Sequence, residues 1–351
     1  MKLAFKEDFF SNSRPIWHSA GKELDKLVSG IFDNVSLIKS GVTNMVIEFS
    51  GAFGINSSNF RISIGGKKYL LKRWSIKAIP EELEIILAMM EWLSNETLPV
   101  PSPIKFINGK NVLFYDNCLW SLFPFIDGDY FSGKVDEFEN FAEMSGHLSN
   151  VLTKIPLELI PSSGPIHLSD SDNAILNIMD SLIYKWPDYF GVINSKLLRN
   201  QWDALMCDWV RYRKERIYAG SSLPCHFDLH PHNALFNNGK LVAILDFESC
   251  KVLPEGYAIC FNALKQCKQV IIANGNISAA GEIGANYIRF MSRKYSKVES
   301  YKGNFSDLAN IEAMRRLCVI FRLNIESNNK SWNHILPIQL GHLVESKIIF
   351  N

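Results

Sequence analysis

The chain has 351 residues, 47% of them hydrophobic and 21% charged, a globular composition long enough for one large core or two modest ones. A formal net charge of +1 at pH 7 gives no electrostatic reason to expect a nucleic acid or an anionic membrane as partner. No apolar run approaches the roughly 20 residues that span a bilayer. Seven cysteines, an odd number without a CxxC pair, suit reduced thiols better than a disulfide framework. The opening MKLAFKEDFFSNS carries acid early and lacks a long apolar core, so the expectation is a soluble cytoplasmic protein without a signal peptide.

In chain order, Leu24, Leu27, Val28, Ile31 and Phe32 recur at helical spacing and predict a helix within residues 1–34 that covers the adjoining domain. Apolar and β-branched residues predict short strands at 35–39 and 45–50. The run Gly51-Ala52-Phe53-Gly54-Ile55-Asn56-Ser57-Ser58 interrupts them, and a strand resumes at 60–64. Small residues there let backbone N–H groups approach a phosphate closely, although such loops are equally common in hairpins that bind nothing. Gly65-Gly66 turns the chain into a third strand, 67–73, in which Lys72 stands among apolar neighbours. Pro80 suits the first turn of a helix, and Leu83, Ile86, Leu87, Met90 and Leu93 give that helix one buried stripe. Glu82 lies at the stripe's edge, whereas Glu84 points with Ala88, Glu91 and Asn95 toward solvent. The proline-rich LPVPSPI at 98–104 is stiff and extended. Strands at 111–115 and 118–123 lead into Pro124-Phe125-Ile126-Asp127-Gly128-Asp129. From Asp136 the pattern turns helical, with Phe138, Phe141, Met144, Ser145, Leu148 and Leu152 on one face. Further helices are expected at 195–218, 255–269, 306–327 and 338–349.

The most informative stretch runs from Leu223 to Ser249. Two apolar strands are joined by Asn237-Asn238-Gly239-Lys240, which supplies the positive-φ positions of a tight hairpin. The loop before the first strand and the residues after the second therefore emerge at the same end, and Asp228, Asn233 and Asp246 converge there. An Asn oxygen and one Asp can hold Mg²⁺, a cation that favours oxygen ligands, while the other Asp accepts a proton from a hydroxyl. His226, His230 and His232 invite a zinc reading, but their spacing does not match a helical HExxH pair, and the Asp-Asn-Asp set already accounts for the stretch. His226 is expected to pack beneath the loop, and His230 or His232 to face an acceptor. Cys225, Cys250, Cys260 and Cys267 have no paired base and read as buried small apolar residues.

HFDLHPHNALF followed by ILDFE resembles the H-G-D-L-H-x-x-N and D-F-G or D-F-E motifs of the aminoglycoside phosphotransferase, choline kinase and homoserine kinase superfamily. Two departures are Phe227, in place of a small or polar residue, and His232, in place of a common Gly. The resemblance covers about Gly51 to Gly256 and implies an α+β, bilobal protein-kinase-like fold. Residues 1–122 would form an N-terminal nucleotide-binding lobe on a small antiparallel sheet, 123–128 a hinge, and 129–351 a larger, mostly helical catalytic and substrate-binding lobe. It further implies transfer of the γ-phosphoryl group of ATP, or GTP, with Mg²⁺, to a hydroxyl of a small molecule such as homoserine, choline, an aminoglycoside or a sugar.

By that resemblance Asp228 would orient and deprotonate the acceptor, Asn233 and Asp246 would hold Mg²⁺, and Lys72 would touch the phosphates with Glu82 as its partner. Many relatives place that Glu where this chain has Ile86. Gly51, Gly54, Asn56, Ser57 and Ser58 would cover the phosphates, and Phe123 and Phe125 would flank the base. His230, His232 and Glu248 would face the acceptor, and Glu255 and Asp129 are acids that would suit a cationic one. The competing readings are a protein Ser/Thr kinase resembling the bacterial stress-response type and a non-catalytic nucleotide-binding module. Oligomeric state stays open.

Overall fold

The computed structural model describes residues 17–19, 23–35, 45–50, 58–75, 77–160, 170–215, 217 and 219–351. The first lobe contains β1 (His18–Ser19), α1 (Glu23–Phe32), β2 (Val46–Ser50), β3 (Ser58–Ile64), β4 (Lys67–Arg73), α2 (Pro80–Asn95), β5 (Leu113–Tyr115) and β6 (Cys118–Pro124). Its strands form one antiparallel sheet in the order β1-β2-β3-β4-β6-β5. Alternation along the strands sorts the two faces. Phe60, Ile62, Leu71, Trp120 and Leu122 pack with Val28, Ile31 and Phe32 of α1, so the predicted helix does cover this sheet. Lys72, one residue from Leu71, stands on the other face, where Phe123 and the buried stripe of α2 join the large core.

The second lobe begins with β7 (Asp129–Tyr130) and continues through α3 (Val135–Leu152), α4 (Asp170–Ser181), α5 (Trp186–Glu215), β8 (Ser222–His226), β9 (Ala234–Asn237), β10 (Lys240–Ile244) and β11 (Cys250–Pro254). It closes with α6 (Glu255–Asn274), α7 (Ala280–Ser292), α8 (Phe305–Ser327) and α9 (Leu336–Phe350). Two small sheets, β10-β9-β7 and β11-β8, lie within these helices. The architecture is α+β, with a small antiparallel-sheet lobe and a larger helical one.

Some elements differ from the sequence expectation for local reasons. The strand expected at 111–115 pairs only from Leu113, because the N–H groups of Asn111 and Val112 are taken by the carboxylate of Glu84, at 3.2 and 2.9 Å. Glu84 is thus half-buried and bonded rather than solvent-facing. The long helix begins at Trp186, ahead of 195, and bends at Gly191, whose φ of 78° and ψ of 164° interrupt the helical backbone. Helix α6 extends past 269 to Asn274 and stops at Gly275, which takes a φ of 62°. Helices α4 and α7 and the β8–β11 pair had no counterpart in the sequence expectation. Among the described residues no helix is long and apolar enough to cross a membrane.

Candidate active site

The segment between β8 and β9 is held from three directions. In the antiparallel pair β8–β11, His226 lies opposite Cys250 and Cys225 opposite Lys251. The β9–β10 hairpin turns through Asn238 and Gly239, at φ 51° and 75°, as the Asn-Gly pair predicts. From α6, Asn262 donates to His226 O at 2.8 Å and accepts from Leu229 N at 3.0 Å, and Gln266 donates to Leu229 O at 3.2 Å. Two buried amide side chains therefore satisfy backbone groups at the end of β8 and in the loop just beyond it.

Internal bonds then bring the motif residues together. Asn233 donates from its backbone to His230 O (2.9 Å) and from Nδ2 to Asp228 O (2.8 Å), and its own carbonyl accepts from Leu245 N (2.8 Å). Asp246, next in the chain, sits exposed at φ 63° and ψ 50°, a left-handed turn that an Asp tolerates better than most residues. His226 is buried, with Nε2 2.7 Å from Leu245 O and Nδ1 3.4 Å from Asp228 N. Burial holds its imidazole below the usual range, so the neutral ring donates from Nε2 and accepts at Nδ1, as its partners require. The Asp228, Asn233 and Asp246 segments are in this way cross-linked.

The carboxylate of Asp228 meets two cations. Lys265 Nζ lies 2.6 Å and Arg316 Nη2 3.2 Å from Oδ1, while His230 Nε2 is 3.7 Å from Oδ2. Burial alone would raise this carboxyl's pKa, but Lys265, Arg316 and His230 together hold it well below the usual range. Burial pushes His230 down to about 4, against the pull of Asp228, so it is neutral at pH 7. His230 accepts from His232 N at 3.2 Å, and the His232 ring packs edge-on against Tyr130 at 5.0 Å.

On the sheet side, Lys72 forms an ion pair with Glu248, and its ammonium lies 4.1 Å from the centroid of Trp74. This corrects the expected pairing with Glu82, which sits exposed in the first turn of α2. Ile86 fills the corresponding position with apolar packing, so the helix offers no carboxylate there. Glu248, expected to face the acceptor, is engaged by Lys72 instead. Burial raises its pKa, Lys72 opposes the rise, and Asp246 adds to it.

Phe123 is buried with α2, whereas Phe125 is half-buried beside Trp17 at 5.8 Å and under Arg61 at 5.4 Å. Ser58 accepts from Arg73 Nη2 at 3.2 Å, and Gly51, Gly54, Asn56 and Ser57 lie outside the described residues. Glu255 does not serve a cationic acceptor: it is 2% exposed and bonded to Lys297 and Tyr295. Burial raises the thiols of Cys225, Cys250, Cys260 and Cys267, which leaves them protonated and inert.

Sequence reasoning missed Lys265, Arg316, Asn262 and Gln266. Lys265 is 37 residues and Arg316 88 residues from Asp228, beyond the reach of any local motif. A weak signal existed in α6, where Asn262, Lys265, Gln266 and Lys268 interrupt a helix that buries nearly every side. Buried polar side chains must find partners: Asn262 and Gln266 find them in the backbone of the Asp228 loop, Lys265 in the Asp228 carboxylate, and Lys268 in Glu345. Asn233 and Asp246 carry hard oxygen atoms of the kind that could hold Mg²⁺, and with Nδ2 of Asn233 committed to Asp228 O, the amide oxygen is the end it has left for a cation.

A family model described as the phosphotransferase enzyme family matches residues 52–257. The homoserine kinase of Zymomonas mobilis subsp. mobilis is 26% identical over 202 residues, 55% of this chain and 57% of that enzyme. The homoserine kinase of Paramagnetospirillum magneticum is 24% identical over 233 residues, 60% of this chain and 63% of that one. The chain thus spans less than two thirds of the length of either curated relative. Among solved structures, a spectinomycin phosphotransferase in complex with ADP and spectinomycin aligns with a TM-score of 0.66 over 96% of this chain and 98% of that one, at 14% identity. That likeness is one of fold. With the family match spanning more than half its length, the chain belongs to the phosphotransferase enzyme family.

Proposed function

We propose that this chain transfers the γ-phosphoryl group of ATP to a hydroxyl group of a small molecule, with homoserine the first acceptor to test. The observation that carries the reading is the cross-linked set Asp228, Asn233 and Asp246, opposite Lys72 on the sheet. The two curated relatives, both homoserine kinases, support the choice of acceptor.

A carboxylate held well below its usual pKa is a weak base. Phosphoryl transfer tolerates this, because its loose transition state places little demand on deprotonating the nucleophile and most of the catalysis is positioning and charge neutralisation. Oδ1 of Asp228 is occupied by Lys265 and Arg316, so Oδ2, beside neutral His230, is the oxygen that receives the acceptor hydroxyl. Fixing one oxygen with two cations orients the other. Lys72 sits on the cleft face of β4 and exchanges Glu248 for the nucleotide phosphates. Mg²⁺ held by Asn233 and Asp246 would neutralise charge on those phosphates.

The test is ADP release from Mg·ATP in the presence of L-homoserine, choline, ethanolamine, kanamycin and free sugars. Turnover with one acceptor class, abolished by Asp228→Ala, is the expected result. Nucleotide binding without transfer to any of these acceptors would overturn the reading.

A further inference from the structure

The Phe227 departure from the family motif has a visible use. Its ring is 5% exposed and carries two guanidinium groups, Arg315 at 5.0 Å and Arg316 at 5.2 Å. Both arginines also bind Glu312 of the same helix: Arg315 through Nε and Nη2 at 2.7 and 2.9 Å, Arg316 through Nε at 2.7 Å. Nη2 of Arg316 reaches Phe227 O and Asp228 Oδ1, each at 3.2 Å. The Nη1 groups of Arg315 and Arg316 and the ammonium of Lys251 have no acceptor among the described residues.

These unused donors belong to one corner. Both arginine side chains are about a fifth exposed. Lys251 stands across the β8–β11 pair from Cys225, two residues before Phe227. Partial burial and the nearby guanidinium of Arg315 hold its ammonium below the usual range, with Arg316 adding to the effect and Glu312 opposing it. Around Asp228, then, Lys251, Lys265, Arg315 and Arg316 face the carboxylates Asp228 and Glu312, while Asp172, which also acts on Arg315, is paired with Arg322. Positive charge is in excess beside the carboxylate proposed to orient the acceptor. A polycationic acceptor would meet repulsion there, and an anionic one would find planar, preorganised donors.

We propose that Arg316, supported on Phe227 with Arg315 and Lys251 beside it, recognises an anionic group on the acceptor, so that the substrate class is hydroxyl compounds bearing a carboxylate or a phosphate. This inference rests on the phosphotransfer reading for the identity of the hydroxyl, but the anion corner can be tested without turnover. Arg316 is a specificity-determining residue here, reading the part of the acceptor that does not react.

The experiment compares acceptors that differ only in the anion: L-homoserine against 3-amino-1-propanol for the carboxylate, and sn-glycerol 3-phosphate against glycerol for the phosphate. Binding is measured by calorimetry with Mg²⁺ and a non-hydrolysable ATP analogue, and turnover by ADP release. The anionic member of one pair is expected to bind at least about tenfold more tightly and to show the lower KM, as a charge-assisted hydrogen bond requires. Arg316→Gln and Phe227→Ala should collapse that ratio toward one; a merely structural role would weaken both members of a pair equally. The responding pair identifies carboxylate or phosphate. Equal binding of both members in both pairs, or a ratio unchanged in Arg316→Gln, would overturn the anion corner. Selective anion binding without phosphate transfer would instead overturn the phosphotransfer reading and leave the corner standing.

Discussion

Asp228 and Glu248 are both half-buried carboxylates that meet a cation, yet their environments drive them in opposite directions. Asp228 faces Lys265 and Arg316, whose charges outweigh burial and keep it ionised. Glu248 has Lys72 alone, and burial with the neighbouring Asp246 outweighs that cation and raises its pKa. A carboxylate with surplus cations is fixed in charge and position, whereas one with a single cation is readily exchanged. The first suits an orienting group and the second a stand-in that yields Lys72 to phosphates.

The largest expected effect breaks the Asp228 side. Asp228→Ala should lower kcat by about 10³-fold or more while nucleotide binding persists, since the oxygen that orients the hydroxyl is gone. It also takes an anionic partner from Lys265, whose side chain is 6% exposed, so a stability loss of about 1–3 kcal/mol is expected by denaturant titration, with Asp228→Asn the milder variant. Next comes the scaffold of the loop. Asn262→Leu leaves His226 O and Leu229 N without partners and should cost about 2–4 kcal/mol, with kcat falling as the loop loosens.

A smaller effect sharpens the Glu248 side. The folded pKa of Glu248 is raised, so its contribution to stability is present below the unfolded glutamate pKa and is lost as pH rises through the folded value. Asp228 is depressed, so its contribution is present above the unfolded aspartate pKa and is lost only as pH falls through the folded value. On acidification from neutrality Glu248 therefore protonates first, releasing Lys72 while Asp228 stays charged. An acid limb in the nucleotide KM above the ordinary glutamate range should follow, and Glu248→Gln should remove it. The smallest effect is that of Glu82→Ala: Glu82 does not hold Lys72, so kcat/KM should change by less than about twofold, as for other exposed substitutions. A large loss in that variant would restore the helix carboxylate as the lysine's partner.

The convergence of Asp228, Asn233 and Asp246 was legible because they sit in one stretch of chain. Asp228, Asn233 and Asp246 are linked by a hairpin whose Asn-Gly turn announces itself, and the strand carrying Lys72 follows period-2 alternation. The small-lobe sheet and the helices at 306–327 and 338–349 could be read for the same reason: strong, uninterrupted periodicity. What could not be read depends on folding. Lys265, Asn262 and Arg316 reach the loop from α6 and α8, and no spacing rule links a helix residue to a loop 37 or 88 positions away. The Lys72 partner was misjudged because Glu82 satisfies a helical-face argument, while Glu248 reaches Lys72 from the other lobe across 176 residues. Phe227 was visible only as a departure from a motif, and its two arginine neighbours give that departure a physical sense.

The most direct test of the central claim is transfer of labelled phosphate from the γ-position of ATP to L-homoserine, by wild type and Asp228→Asn side by side, with nucleotide affinity measured on both. The account predicts a phosphorylated acceptor from the wild type, loss of transfer by about 10³-fold in the variant, and ATP affinity within about threefold between them. Transfer by Asp228→Asn at the wild-type rate would contradict it, because the carboxylate oxygen left open by Lys265 and Arg316 would then have no part in the reaction.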